Sequence, residues 1–69
     1  MSDSTLRYII KTCFIHLDDR DEEVQQAIFG FLDFAAGINK EIVLEEAVLS
    51  VNKQKFPVLC EQLIKKLQN

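Results

Sequence analysis

Apolar residues recur along this chain every third or fourth position, in four segments separated by short polar stretches. That spacing is typical of amphipathic α-helices, and it is interrupted by only two glycines and one proline. The pattern therefore predicts an all-α fold with four helices, at residues 4–16, 22–36, 40–51 and 57–68. Sixty-nine residues allow one small domain.

Helix-end signals support these boundaries. Gly37 stands where a left-handed C-terminal cap would end the second helix. Asn39 is suited to cap the third helix, and Pro57 fits the first turn of the fourth, where its missing N–H costs nothing. The predicted inward stripes contain Leu6, Ile9, Ile10, Cys13, Phe14 and Leu17; Val24, Ala27, Ile28, Phe31, Leu32 and Ala35; Val43, Leu44, Ala47, Val48 and Val51; and Phe56, Leu59, Cys60, Leu63, Ile64 and Leu67.

The two halves of the chain repeat one another. Adding 34 to the stripe positions from residue 9 to residue 17 reaches apolar positions of the third helix, and adding 32 carries the second stripe onto the fourth. Two amphipathic hairpins can match by chance, but register over eleven positions favours an internal repeat. We therefore predict two antiparallel helical hairpins, stacked as in an α-solenoid, with repeat one at 4–37 and repeat two at 39–68.

A second apolar ridge lies away from the main stripes. Tyr8 and Ile15 fall on the far side of the first helix, and Ile42 and Leu49 occupy the same places 34 residues later. A helix that is apolar on two faces must be covered on both. The fourth helix instead has a polar back, as expected of a capping repeat that closes an array.

Phe29 and Phe34 lie at or beyond the margin of the second stripe. Such aromatics often extend a core. The alternative is that Phe29 joins Tyr8 and Ile15 in a ridge that docks a preceding repeat, in which case all three should be unusually exposed in the isolated chain.

The run LDDRDEEVQQA resembles the turn and second-helix start of a HEAT repeat. Positions that match the HEAT pattern are Leu17, Asp19, Asp21, Val24 and Ala27. Arg20 and Glu22 depart from it, since proline is common there, and Gln25 replaces a basic residue that often pairs along the array. The second turn, VNKQKF, has lost the motif.

The tail KQKFPVLCEQLIKKLQ more specifically resembles the C-terminal end of a HEAT-repeat protein among the axonemal dynein assembly factors. The matching features are Lys53, Pro57 and the run from Cys60 to Leu63. This resemblance implies a cytoplasmic scaffold that helps to pre-assemble dynein arms, with preceding HEAT repeats, dynein chains or chaperones as partners.

Charge is distributed unevenly. The net charge is −3, which argues against nucleic acid as a partner, yet residues 1–46 carry ten acids and four bases while residues 47–69 carry one acid and four bases. The first turn concentrates Asp18, Asp19, Asp21, Glu22 and Glu23, and the second holds Lys53 and Lys55. Stacking would make these turns neighbours. They form either a protein-binding edge, or a set of helix caps and weakly stabilising exposed ion pairs.

Metal and cofactor chemistry find little support. Counted from Asp19, an EF-hand loop would need glycine at its sixth position, where Val24 stands. His16 lacks a zinc ligand set, and its neighbour Cys13 faces the predicted core, which disfavours Cys–His catalysis. The isolated Gly30 cannot form a phosphate loop. We predict no catalytic residue, metal site, cofactor or small-molecule substrate.

Neither a membrane span nor a signal peptide is predicted, since the apolar runs fall far short of about 18 residues. Two cysteines inside apolar stripes indicate reduced thiols and a cytoplasmic protein. The sequence thus predicts a non-enzymatic protein-interaction scaffold that caps a HEAT array. The alternative is an independent four-helix adaptor that homodimerises through its Tyr8/Ile15 ridge.

Overall fold

The computed structural model describes residues 2–68 and confirms the all-α prediction. Four helices follow one another: α1 (Asp3–Leu17), α2 (Glu22–Ile38), α3 (Lys40–Val51) and α4 (Val58–Gln68). No strand occurs within residues 2–68. The bounds of α3 match the prediction at both ends, and α4 begins one residue after the predicted Pro57.

Short polar side chains begin three of the helices. Ser2 accepts a hydrogen bond from the Thr5 N–H at 3.2 Å and starts α1. Asp21 accepts from the Glu23 N–H at 2.9 Å, so Asp21 rather than Asp19 caps α2. The predicted cap of α3 is confirmed, because the Asn39 side chain accepts from the Ile42 N–H at 3.3 Å.

The predicted left-handed cap at Gly37 is wrong. α2 continues through Gly37 to Ile38, and no glycine within residues 2–68 has a positive φ. Asn39 ends α2 instead, with its backbone N–H donating to the Ala35 carbonyl at 2.9 Å. One residue therefore both closes α2 and opens α3, which leaves no room for a separate glycine turn.

The helices pack as two hairpins side by side. α1 packs against α2, α3 packs against α4, and α1 also lies along α3. Arg7 contacts Glu46, 39 positions later, and Asp18 contacts Lys55, 37 positions later. Residue numbers rise together along both helices, so α1 and α3 run in the same direction.

The core lies between the hairpins and differs in part from the predicted stripes. Its buried apolar residues are Ile10, Phe14, Leu17, Leu32, Ala35, Ala36, Ile42, Val43, Ala47, Cys60, Leu63 and Leu67. Four residues predicted to face inward are instead exposed: Ala27, and the larger Phe31 by 44%, Val48 by 47% and Phe56 by 43%. Conversely, Ile42 is buried although it was assigned to the outer ridge.

Burial does not follow the 34-residue offset position by position. Phe14 is only 1% exposed, whereas Val48, its counterpart at that offset, is largely open to solvent. The buried positions Ile10 and Phe14 correspond better to Val43 and Ala47, an offset of 33. The inward face of α3 is thus rotated by about one residue, roughly 100°, from the face that the offset of 34 predicts.

Candidate protein-binding surfaces

Asp18, in the acidic turn, connects the two hairpins. One of its carboxylate oxygens, Oδ1, accepts hydrogen bonds from the backbone N–H groups of Lys55 and Phe56, each at 2.8 Å. Asp18 follows the C-terminus of α1, where the helix dipole disfavours an anion, but these two donors lie just before the positive end of α4. Its carboxylate therefore holds the second turn against the first.

The remaining carboxylates of this turn serve α2 or face solvent. Asp19 accepts from the Asp21 N–H at 2.8 Å, and the backbone carbonyl of Asp19 accepts from the Gln25 side-chain amide. Glu22 and Glu23 are exposed in the first turn of α2, where the helix dipole favours negative charge. The capping role predicted for the cluster is thus present, and only Glu22 and Glu23 remain fully available to a partner.

Lys53 and Lys55 lie beside the acidic turn, as expected if the hairpins stack. Both are exposed. Within residues 2–68 neither forms an ion pair, because the backbone of Lys55, not its ammonium group, contacts Asp18. The expected exposed ion pairs between the two turns are therefore absent from the part of the chain that the structure describes.

A charged cluster at the opposite end of the α1–α3 interface was missed from the sequence. Arg7 forms ion pairs of 3.0 Å with Glu45 and with Glu46, and Lys11 approaches Glu46 at 3.9 Å. Glu46 is 2% exposed, the one buried charged residue within 2–68. Side-chain hydrogen bonds to Glu45 and then Glu46 raise the pKa of Arg7 above its ordinary value.

Helical spacing gave no signal for this cluster. From the sequence pattern alone, Glu46, next to Ala47 on α3, would be assigned to the polar surface. It is buried because α1 packs over it. Gln54 was missed for the same reason: its side-chain amide donates to the Phe14 carbonyl at 2.9 Å, across the hairpins.

The predicted docking ridge is present only in part. Tyr8 and Ile15 are each 71% exposed on the outer side of α1, and Leu49, 62% exposed, lines a cleft together with Ile15. The prediction that Phe29 is exposed with them is wrong. Phe29 is half-buried and packs against the core, because the inward face of α2 is rotated toward it.

That rotation exposes a different apolar surface. The α1–α2 groove, with a volume of about 470 Å³, lies between these two helices. It is lined by Asp3, Leu6, Ile9, Phe31, Phe34, Ala35, Ile38 and Asn39. Phe34 and Ile38 are 66% and 65% exposed. The position of Phe34 at the margin of the predicted stripe was the one sequence signal for this groove.

The two thiols are buried or half-buried, whereas the histidine is on the surface. Burial raises the pKa of the Cys13 thiol, and burial with the nearby Glu61 charge raises that of Cys60 to about 11. Cys60 donates to the Ala47 carbonyl at 3.4 Å. Both cysteines are free, and His16 is exposed. Among residues 2–68, no group of three or more His, Cys, Asp and Glu side chains is placed to hold a metal ion.

Within the same described range, none of the helices has the length and hydropathy that crossing a bilayer requires. By its fold, the chain belongs to the class of small all-α proteins built from helical hairpins.

Comparison with known proteins shows a similarity to a dynein assembly factor. The chain is 28% identical over 65 residues to human Dynein axonemal assembly factor 5 (Homo sapiens). The match covers 94% of this chain but 8% of the relative's length. It supports a relation to that protein's family. No protein-family model and no solved structure matches the chain.

Proposed function

We propose that this chain is a non-enzymatic protein-interaction unit of a factor that assists axonemal dynein assembly. The observation that carries the proposal is the 28% identity to Dynein axonemal assembly factor 5 over nearly the whole chain. The name of that relative states an assembly role, and the proposal extends this role to the present sequence. A cytoplasmic location, with dynein chains or chaperones as partners, belongs to the same proposal.

Parallel stacking supports a HEAT-like role within a longer helical array. In such arrays each hairpin covers one flank of the next, and the equivalent helices run in the same direction. Here α1 and α3 run in the same direction and are held in register at both ends, by Arg7 with Glu46 and by Asp18 with Lys55.

The two outer flanks differ as a capping unit requires. The outward side of α4 is mostly polar, with exposed Glu61, Gln62 and Lys65 beside Val58, which is 64% exposed. The α1–α2 groove on the other hairpin is apolar and exposed. We propose that α4 closes the array and that the groove receives the neighbouring hairpin.

A chimera tests the proposed function. In ciliated cells that lack Dynein axonemal assembly factor 5, the matched 65-residue region of that protein would be replaced by this chain. We expect the chimera to restore axonemal dynein arms, measured by immunofluorescence of dynein chains along the cilium.

The matched control is a chimera of the same length that carries an unrelated four-helix domain at this position. Equal protein levels must be verified by immunoblot for both. A stable chimera of this chain that restores no more dynein than the control would contradict the proposal.

A second candidate function rests on the exposure of Tyr8 and Ile15, which favours a homodimer formed through that ridge. For this adaptor we expect the mass in sedimentation equilibrium to rise with concentration and to stay monomeric in a Tyr8→Glu/Ile15→Glu variant. A constant monomer mass up to millimolar concentration would exclude it.

A further inference from the structure

The α1–α2 groove exposes apolar side chains from two helices. Phe31, Phe34 and Ile38 are spaced at i, i+3 and i+7 on α2, so they form one stripe along the helix. On α1, Leu6 and Ile9 complete the opposite wall of the groove. Apolar surface arranged along a helix in this way matches the apolar stripe of a second helix laid into the groove.

Charge around the groove has one sign. Asp3 lines the groove on α1, and α2 contains three acids and no base. One of the three, Asp33, faces α4 and pairs with Lys66 at 2.8 Å, which leaves the exposed Glu22 and Glu23. Helical spacing puts Glu23 on the same side of α2 as Phe34, eleven residues later. The bases of α1, Arg7 and Lys11, contact α3 instead. A partner with positive charge beside its apolar stripe would complement this acidic border.

Two glycines lie on the exposed side of α2. A Cβ atom added at Gly30 or at Gly37 would meet nothing within 4 Å, so packing within the chain does not require either glycine. Glycine is nonetheless among the poorest helix-forming residues. Their absence of side chains lets a partner backbone approach α2 closely beside Phe34.

We propose that the α1–α2 groove binds an amphipathic α-helix whose apolar stripe is bordered by lysine or arginine. The acidic border and the two glycines select this occupant over an uncharged or acidic helix. The inference rests on the proposed function, because it gives the chemistry of the neighbouring helix that the groove would receive. From Glu23 to Ile38 the surface of α2 extends about 22 Å, the length of a 15-residue helix.

Binding of designed peptides tests the proposal with the whole chain. One 18-residue helical peptide carries leucines along one stripe and lysines at its borders; its matched partner carries glutamates in place of the lysines. We expect the lysine peptide to bind at least tenfold more tightly by fluorescence anisotropy, and its affinity to fall as salt is raised. Equal affinity for both peptides would overturn the charge argument.

Variants locate the binding surface. Phe34→Asp is expected to weaken binding of the lysine peptide at least tenfold, whereas Leu49→Asp, a change at a similarly exposed residue of α3, leaves it unchanged. Circular dichroism must show both variants folded. If the two variants weaken binding equally, the peptide does not occupy the α1–α2 groove and the proposal is wrong.

Glycine replacement separates docking from folding. Gly30→Ala is expected to raise the thermal midpoint of the free chain by a few degrees, because helix propensity improves and space is open. The same change should weaken binding of the lysine peptide at least threefold. A more stable variant that binds the lysine peptide with unchanged affinity would show that the partner backbone does not approach α2 closely at Gly30.

The two proposals fail separately. A chimera that restores dynein arms while no peptide binds would overturn the groove proposal and leave the proposed function intact. Peptide binding with an inactive chimera would do the reverse. Self-association of the free chain that Phe34→Asp abolishes would make a second copy the occupant and overturn the amphipathic-helix proposal.

Discussion

The two hairpins contribute differently to the interface between them. The first hairpin supplies Asp18, whose carboxylate accepts two backbone N–H groups of the second. The second supplies Glu46, whose carboxylate receives the side chains of Arg7 and Lys11 from the first. Each hairpin thus places a carboxylate where the other must satisfy it, and Asp33 of α2 adds a partly exposed ion pair of 2.8 Å with Lys66 of α4. Separating the hairpins would therefore leave the Asp18 and Glu46 carboxylates without these partners. The contacts of both fit the same parallel alignment of α1 and α3.

The difference lies in what satisfies each carboxylate. Asp18 depends on main-chain donors that any sequence supplies if the turn keeps its shape. Glu46 depends on the identity of two side chains and is almost fully buried, so losing a partner leaves a desolvated charge. The Glu46 end should therefore be the more sensitive to substitution.

Arg7→Met should have the largest effect on stability. It leaves buried Glu46 with Lys11 alone, at 3.9 Å. Removing the partner of a buried charge is strongly destabilising, so we expect the urea midpoint to fall further for this variant than for those below. Urea denaturation measures the loss. The control is Arg7→Met/Glu46→Met, which removes both charges and should recover most of it; no recovery would show that Glu46 is not the cause.

Asp18→Ala should destabilise the chain by about 1–2 kcal/mol, since two backbone N–H groups lose their acceptor at a site that water still reaches. Asp18→Asn keeps the Oδ1 acceptor and should lose about half as much. Urea midpoints of the three proteins test this order. If Asp18→Asn and Asp18→Ala lower the urea midpoint equally, the negative charge of Asp18, and not its hydrogen bonding, holds the two turns together.

High pH should destabilise the second hairpin through Cys60. Its folded pKa is about 11, above the ordinary value of 9.0, so the unfolded chain releases the thiol proton first. Stability therefore falls as pH rises from about 9 to about 11, by about 1 kcal/mol at pH 10. The measurement is urea unfolding at pH 8 and pH 10. Cys60→Ala should lower stability at both but reduce its pH dependence; an unchanged dependence would place the cause elsewhere.

Glu45→Gln should have the smallest effect. The side chain of Glu45 is 59% exposed, and its ion pair with Arg7 is a surface interaction of about 0–0.5 kcal/mol. Thermal denaturation at low and at high salt checks this. A loss as large as that of Arg7→Met would show that Glu45, not buried Glu46, is the principal partner of Arg7.

How far the sequence predicted the structure depends on whether the signal was local. Asn39 and Pro57 are strong local signals. Asn39 predicts the start of α3 correctly, and Pro57 predicts the start of α4 to within one residue. Gly37 was misassigned because glycine occurs both after helices and inside them. Here its neighbour Asn39 had already taken the capping role.

The surfaces were harder to predict because they depend on helix rotation. Phe29 and Phe31 are two residues apart on α2. Their roles are exchanged, so that Phe29 is absent from the predicted ridge and Phe31 lines the α1–α2 groove. Helical spacing identifies a stripe to within about one residue, or 100°. Contacts such as Arg7 with Glu46 link positions 39 apart and have no local signature at all.

The connection through Asn39 has a mechanical consequence. With a single residue joining α2 to α3, there is no slack between the hairpins to lengthen under tension. A pull on one hairpin is transmitted directly to the other. Under mechanical force the two hairpins should therefore unfold in one step, with no earlier extension of a loop between them.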